Sequence, residues 1–248
     1  MPPVSVPGHG LPDAGRPAGG LPADGPLAGG LPAAGPLADG PHAGLRELLS
    51  ADARRVAPLL LGALLTHEGP DGLVSVRLTE VEAYLGPHDS QHPDPGSHTF
   101  RGPTARNAPM FGPAGHLYVY FTYGLHHCAN IVCGPAGTAS AVLLRAGEIV
   151  AGEDVALRRR PTSRSSKDLA SGPARLATAL GITTADSGRD ALGTPFRLDL
   201  PAGPAIDVSS GPRVGVSGVG GTHDYPWRFW LSGDPTVSRY KAAKRRPG

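Results

Sequence analysis

The stretch Val74-Ser75-Val76-Arg77-Leu78-Thr79-Glu80-Val81-Glu82-Ala83-Tyr84 decides the fold. Its apolar and polar residues alternate, and side chains on a strand point to opposite faces in turn, so it reads as a strand. On that period Val74, Val76, Leu78, Glu80, Glu82 and Tyr84 share one face, which starts as core and finishes as chemistry. A carboxylate on the inward face of a strand is costly unless it has a partner or a task. An aromatic ring two positions on offers a flat surface to a planar ligand. Glu82 and Tyr84 are therefore expected to pair an acid/base group with a stacking platform.

Upstream, Gly69-Pro70-Asp71-Gly72 is a turn into this strand, and Leu45 to Leu65 reads as helix, with a second start possible at Ser50 or Asp52. Downstream, residues 86–116 are rich in Gly, Pro, His and Asp with little periodicity; a long loop inside a compact domain is usually functional. Strands are expected over Leu117–Gly124, Ala129–Val132 and Ala139–Arg145. Helices are expected over 153–160 and 173–181, the latter with Pro173 in its first turn. Short strands follow at Arg213–Val216 and Trp227–Leu231. Strands adjoin strands without regular helix alternation, which points to an antiparallel α+β domain.

Residues 1–44 repeat with a period of ten, marked by Leu11-Pro12, Leu21-Pro22 and Leu31-Pro32. Almost pure Gly, Pro and Ala, they cannot bury enough apolar surface to offset the entropy of ordering, and read as a disordered tail. They lack the basic start and apolar core of a signal peptide. Residues 45–248 are long enough for one domain with a sizeable core. No apolar run approaches the roughly 20 residues of a membrane span. Two cysteines, Cys128 and Cys133, make no disulfide framework, so a cytoplasmic location is expected. The tail carries three aspartates against one arginine, so the chain's net +2 becomes +4 over the remainder. That charge clusters at Arg158-Arg159-Arg160, Arg164 and Lys167, and again from Arg239 to Arg246, which suits either a solvated face or a polyanion.

Six of the ten histidines lie between His88 and His127, near both cysteines. Their spacing fits no zinc motif, and no phosphate-binding glycine loop occurs, so neither metal nor cofactor is expected. Asn130 and Arg145 sit in otherwise apolar strands, where each needs a buried partner. With Glu82 and four nearby tyrosines they suggest a pocket.

The blocks Glu82-Ala83-Tyr84-Leu85-Gly86, Ser97-His98, Arg101-Gly102, Arg106-Asn107 and Met110-Phe111-Gly112-Pro113-Ala114-Gly115 resemble the alkyladenine (3-methyladenine) DNA glycosylase family. So do Leu117 to Gly124, Cys128-Ala129-Asn130, Leu143-Leu144-Arg145, Ser171-Gly172-Pro173 and Arg213-Val214-Gly215-Val216. They fall in family order over about residues 45–242. The resemblance implies one mixed α+β domain with a curved, partly open barrel-like antiparallel sheet flanked by helices. It also implies a cofactor-free, monomeric base-excision enzyme that acts on double-stranded DNA, removes alkylated or deaminated purines and has no lyase activity.

An enzyme working on the glycosidic bond must first flip the nucleotide out of the duplex. The resemblance then makes Tyr123 the wedge that fills the gap, places the base on Tyr84, and sets His98 and Tyr120 on its other face. Glu82 becomes the base that activates water, Arg145 its partner, and the Val214 carbonyl part of the water's cradle. Asn130 would exclude the 2-amino group of guanine, and Arg106, Arg164, Lys167, Ser171 and Gly172 are candidates for phosphate contacts. Glu80 is expected to make a strand-end ion pair only. The competing readings are a DNA-damage binder without catalysis and a metal hydrolase using the histidines. The intact Glu82 and Arg145 argue against the binder, and the histidine spacing against the hydrolase.

Overall fold

The turn at Gly69–Gly72 joins strands β1 (Leu64–Gly69) and β2 (Gly72–Tyr84) in a computed structural model, which describes residues 42–122 and 124–243 of the chain. The repeated segment up to residue 41, Tyr123, and residues 244–248 of the basic run lie outside the described residues.

One edge of β2 pairs along its length with β5 (Ala141–Ala151), and the register slips three times, at Val150, at Thr79 and at Arg145. Each slip is a bulge: one extra residue on one strand bends it and shifts its alternation by one. The effect is visible in the burial. Val74, Val76 and Leu78 enter the core before Thr79, and Val81, Ala83 and Leu85 enter it afterwards. The face that leaves the core now carries Glu80, Glu82 and Tyr84. This corrects the single-face reading of β2: the carboxylates do not continue the apolar row of Val74, Val76 and Leu78.

The other edge of β2 is shared. Its first half pairs with β1, while Glu80–Glu82 pair with β8 (Arg228–Leu231). β1 continues to β6 (Phe196–Asp199), and β8 to β7 (Val208–Gly211). On the far side of β5 come β4 (His126–Val132) and β3 (Leu117–Thr122). All these pairings are antiparallel, and the eight strands curl into a half-barrel. With the flanking helices this is the mixed α+β architecture expected from the sequence.

Helices α1 (Ala43–Leu49), α2 (Ala53–Val56), α3 (Glu153–Arg159) and α4 (Pro173–Leu180) close the core. α4 buries Leu176, Ala177, Ala179 and Leu180 against β4 and β5; each fully buried leucine contributes about 1.5–3 kcal/mol. Pro173 opens α4, and Gly181 ends it in the left-handed conformation that glycine adopts without penalty.

Two sequence expectations change. The helix predicted over Leu45–Leu65 divides into α1, α2 and a 3-10 turn (Ala57–Leu60), and its end is β1. Asp52 caps α2 by accepting from the Arg54 amide, Pro58 cannot donate within a helix, and Gly62 turns the chain at φ +84°. The strand predicted at Arg213–Val216 is instead a turn centred on Val214 and Gly215. Its Val214 amide donates to the Glu82 side chain, and its Gly215 amide to the Lys241 carbonyl.

Candidate active site

Glu82 lies in the floor of a cavity of about 430 Å³ and has no exposed surface. The Val214 amide donates to its Oε1 at 2.7 Å, and the Tyr84 hydroxyl donates to its Oε2 at 2.9 Å. Arg145 Nη1 stands 3.6 Å from the same Oε2. The three neighbours are donors, an environment suited to a carboxylate. The turn at Val214 therefore aims the carboxylate through its N–H, a contact that sequence reasoning, with its attention on the carbonyl, missed.

Arg145 owes its position to the bulge it forms in β5 and to Glu80. Its Nε lies 3.0 Å from Glu80 Oε1 and donates to Ser238 Oγ at 3.1 Å. Burial works against the charge on Arg145, but Glu82 and Glu80 outweigh it and raise its pKa. Glu80 is wholly buried and also accepts from Arg228 Nε at 2.5 Å and the Ser238 amide at 2.7 Å. The ion pair expected of Glu80 is thus internal, and it holds the arginine that faces Glu82.

Aromatic rings wall the cavity. Tyr84 lines one side, and burial, reinforced by the Glu82 charge, lifts its phenol well above the ordinary range, so it stays a donor. Tyr118 and Tyr120 of β3 line the cavity too, with His98 edge-on to Tyr120 at 4.5 Å between centroids. His98 Nδ1 is 3.1 Å from the Tyr118 hydroxyl, and burial together with Arg106 lowers its pKa. Burial pushes the Tyr118 phenol up to about 12. Tyr118 holds His98; sequence reasoning counted it among the four nearby tyrosines but gave it no role.

Asn130 is buried at the cavity wall, where its Nδ2 donates to the Tyr118 carbonyl at 2.9 Å. Its Oδ1 has no partner among the described residues. Asn107, also buried, braces the loop by donating to the carbonyls of His98 and Gly102. Glu82, Arg145, Val214, Tyr84, His98, Tyr120 and Asn130 therefore converge on one cavity.

The other sequence candidates lie at or beyond its rim. Arg106 donates to the Phe121 carbonyl at 2.9 Å and sits 5.8 Å from the Tyr120 ring. Ser171 bridges to Ala146, and Gly172 leads into Pro173 and Ala174, which line the cavity. Arg164 and Lys167 are exposed on the segment leading there and do not reach the cavity. The β3–β4 hairpin exposes Phe121 and Leu125 on either side, in sequence, of Tyr123. Among the described residues, no three His, Cys, Asp or Glu side chains converge as a metal site would require.

The chain matches the model of the methylpurine-DNA glycosylase family over residues 47–235. It belongs to that family. A protein of Streptomyces avermitilis, named "Putative 3-methyladenine DNA glycosylase", is 56% identical over 202 residues, covering 79% of this chain and 91% of its own. A like-named protein of Leifsonia xyli subsp. xyli is 55% identical over 200 residues (79% and 92%), and one of Nocardia farcinica 52% over 205 residues (82% and 93%). The family match covers β1 to β8 and every residue that lines the cavity. Among the described residues of this family member, no helix is long and apolar enough to cross a membrane.

Proposed function

We propose that this chain is a monofunctional glycosylase that flips alkylated or deaminated purines out of duplex DNA and hydrolyses their N-glycosidic bond. One observation carries the reading. A buried carboxylate, surrounded by donors, faces a ring-walled cavity whose 430 Å³ lies in the usual range for ligand sites.

In this mechanism a water is held between Glu82 and Arg145, with the Val214 carbonyl completing its cradle. The water oxygen attacks C1′, its proton passes to Glu82, and the electron pair of the N-glycosidic bond leaves with the purine. A purine alkylated at N3 or N7 carries a positive charge and departs neutral, so the chemistry asks for a base more than an acid. Tyr84 on one side, and His98 and Tyr120 on the other, hold the base; stacking of this kind contributes about 1–3 kcal/mol per base. Tyr123 fills the space left in the duplex, an aromatic wedge between base steps. Arg106, Arg164, Lys167 and the amides at Ser171 and Gly172 contact phosphates. The enzyme acts as a monomer, in the cytoplasm or at the nucleoid, with no metal or cofactor.

The test is release of free base from duplexes carrying 3-methyladenine, 7-methylguanine, hypoxanthine or ethenoadenine. Alkali-labile abasic sites should form in excess chelator, with no strand cleavage before alkali and no borohydride-trapped adduct. A lesion duplex that stays bound but uncleaved would make the protein a damage binder instead.

Asn130 offers a separate check on selectivity. Its amide nitrogen is committed to the Tyr118 carbonyl, so the side chain cannot withdraw from a base carrying an added 2-amino group. Excluding a group in this way is specificity by mismatch. Asn130→Ser should raise release of undamaged guanine relative to hypoxanthine by about tenfold, the size expected for one group at a pocket wall. An unchanged ratio in a gel-based excision assay would remove Asn130 from this role.

A further inference from the structure

We propose that Arg213 sets the charge preference of the site, biasing it toward neutral purine lesions and against cationic ones by way of the Tyr84 ring. The proposal rests on the glycosylase reading.

Arg213 is buried and takes no part in lining the cavity, although Tyr84 does. Its guanidinium carbon lies 4.5 Å from the Tyr84 centroid and 5.1 Å from that of Trp227. One face of the Tyr84 platform is thus covered by a cation, which leaves the opposite face for the base. Asp94 meets the guanidinium through two bonds of 2.6 and 2.7 Å, and the carbonyls of Ala83 and Gly220 take two more N–H groups. Arg213 Nε is buried without a hydrogen-bond acceptor, so ring faces are what remain to receive it. The position is also locked. A Cβ at Gly96 would come within 2.4 Å of Arg213 Nη2, and one at Gly220 within 2.4 Å of the Gly96 nitrogen.

The face of an aromatic ring is electron-rich and attracts a cation. A guanidinium already on one face draws on that density and repels a second positive charge arriving on the other. A cationic, alkylated purine therefore gains less from Tyr84 than it would from an unoccupied ring, while a neutral purine loses nothing. Arg106 stands near Tyr120, which lines the same cavity, and adds a charge of the same sign. Asp94 partly neutralises Arg213, but it binds through the two Nη groups and leaves the guanidinium on the Tyr84 ring.

The test compares single-turnover release of 7-methylguanine, a cation in the duplex, with release of hypoxanthine, which is neutral. The paired variant Arg213→Gln with Asp94→Asn removes both charges while keeping a polar amide at each position. It should raise the 7-methylguanine to hypoxanthine ratio about fivefold, the size of a cation–π contact, whereas Arg213→Lys should keep the wild-type ratio. Tyr84→Leu removes the ring but keeps the Arg213–Asp94 ion pair, and covers the case in which the paired variant fails to fold; it should cost the neutral lesion more than the cationic one. Parallel losses with an unmoved ratio, or a larger loss for 7-methylguanine in Tyr84→Leu, would overturn this proposal alone. Release of neither base by the wild type would overturn the glycosylase reading and this proposal with it.

Discussion

Glu82→Gln should lower purine release by about 10²–10⁴-fold, the usual contribution of a general base, while affinity for a lesion duplex stays close to wild type. The amide fits where the carboxylate was. Its oxygen can still accept from the Val214 amide, and its NH2 can donate to the Tyr84 hydroxyl, which turns to accept. Arg145 loses one of its two acidic neighbours but keeps Glu80. The variant should therefore fold, bind and flip, and lack only a group able to take the water's proton. Single-turnover release beside equilibrium binding separates these effects. Full activity in Glu82→Gln would show that the carboxylate is not the base, and equal losses of binding and rate would give it a structural role.

Much of the cavity's lining was legible because its polar residues stand out in apolar strands and in an unusually long loop. Glu82 and Tyr84 close β2, Asn130 and Arg145 interrupt apolar strands, and His98 lies in a loop too long for a mere connection. What stayed hidden depends on register. Nothing local to Thr79 announces a bulge, yet that one residue separates Val74, Val76 and Leu78 from the face that carries Glu80 and Glu82. β1 was hidden for a related reason: Leu64 and Leu65 continue the apolar spacing of a helix, and only pairing with β2 makes them a strand. Asp94 and Arg213 are 119 residues apart, so their buried pair is tertiary information. Val214 was placed at the site by resemblance, but its N–H bond to Glu82 requires the turn that replaces the expected strand.

Glu80→Ala should be the most destabilising change near the site, and it follows from that hidden register. Glu80 has no exposed surface and is the acidic partner shared by Arg228 and Arg145, both nearly buried. Attraction between such groups roughly offsets the cost of taking them out of water, so the intact network adds little net stability. Removing the carboxylate alone leaves two guanidinium groups desolvated and the Ser238 amide without its acceptor. Loss of one partner from a buried pair costs about 3–5 kcal/mol. For a domain of this size that is roughly a 10 °C fall in melting temperature. Arg145 would also lose the anchor that holds it toward Glu82, so the release rate per folded molecule should fall as well. Calorimetry and single-turnover kinetics on the same preparation distinguish the two effects. A melting temperature unchanged from wild type would mean that water or rearranged side chains satisfy the arginines. A lower melt with an unchanged rate would leave Glu80 a structural residue and assign the placing of Arg145 to its bulge.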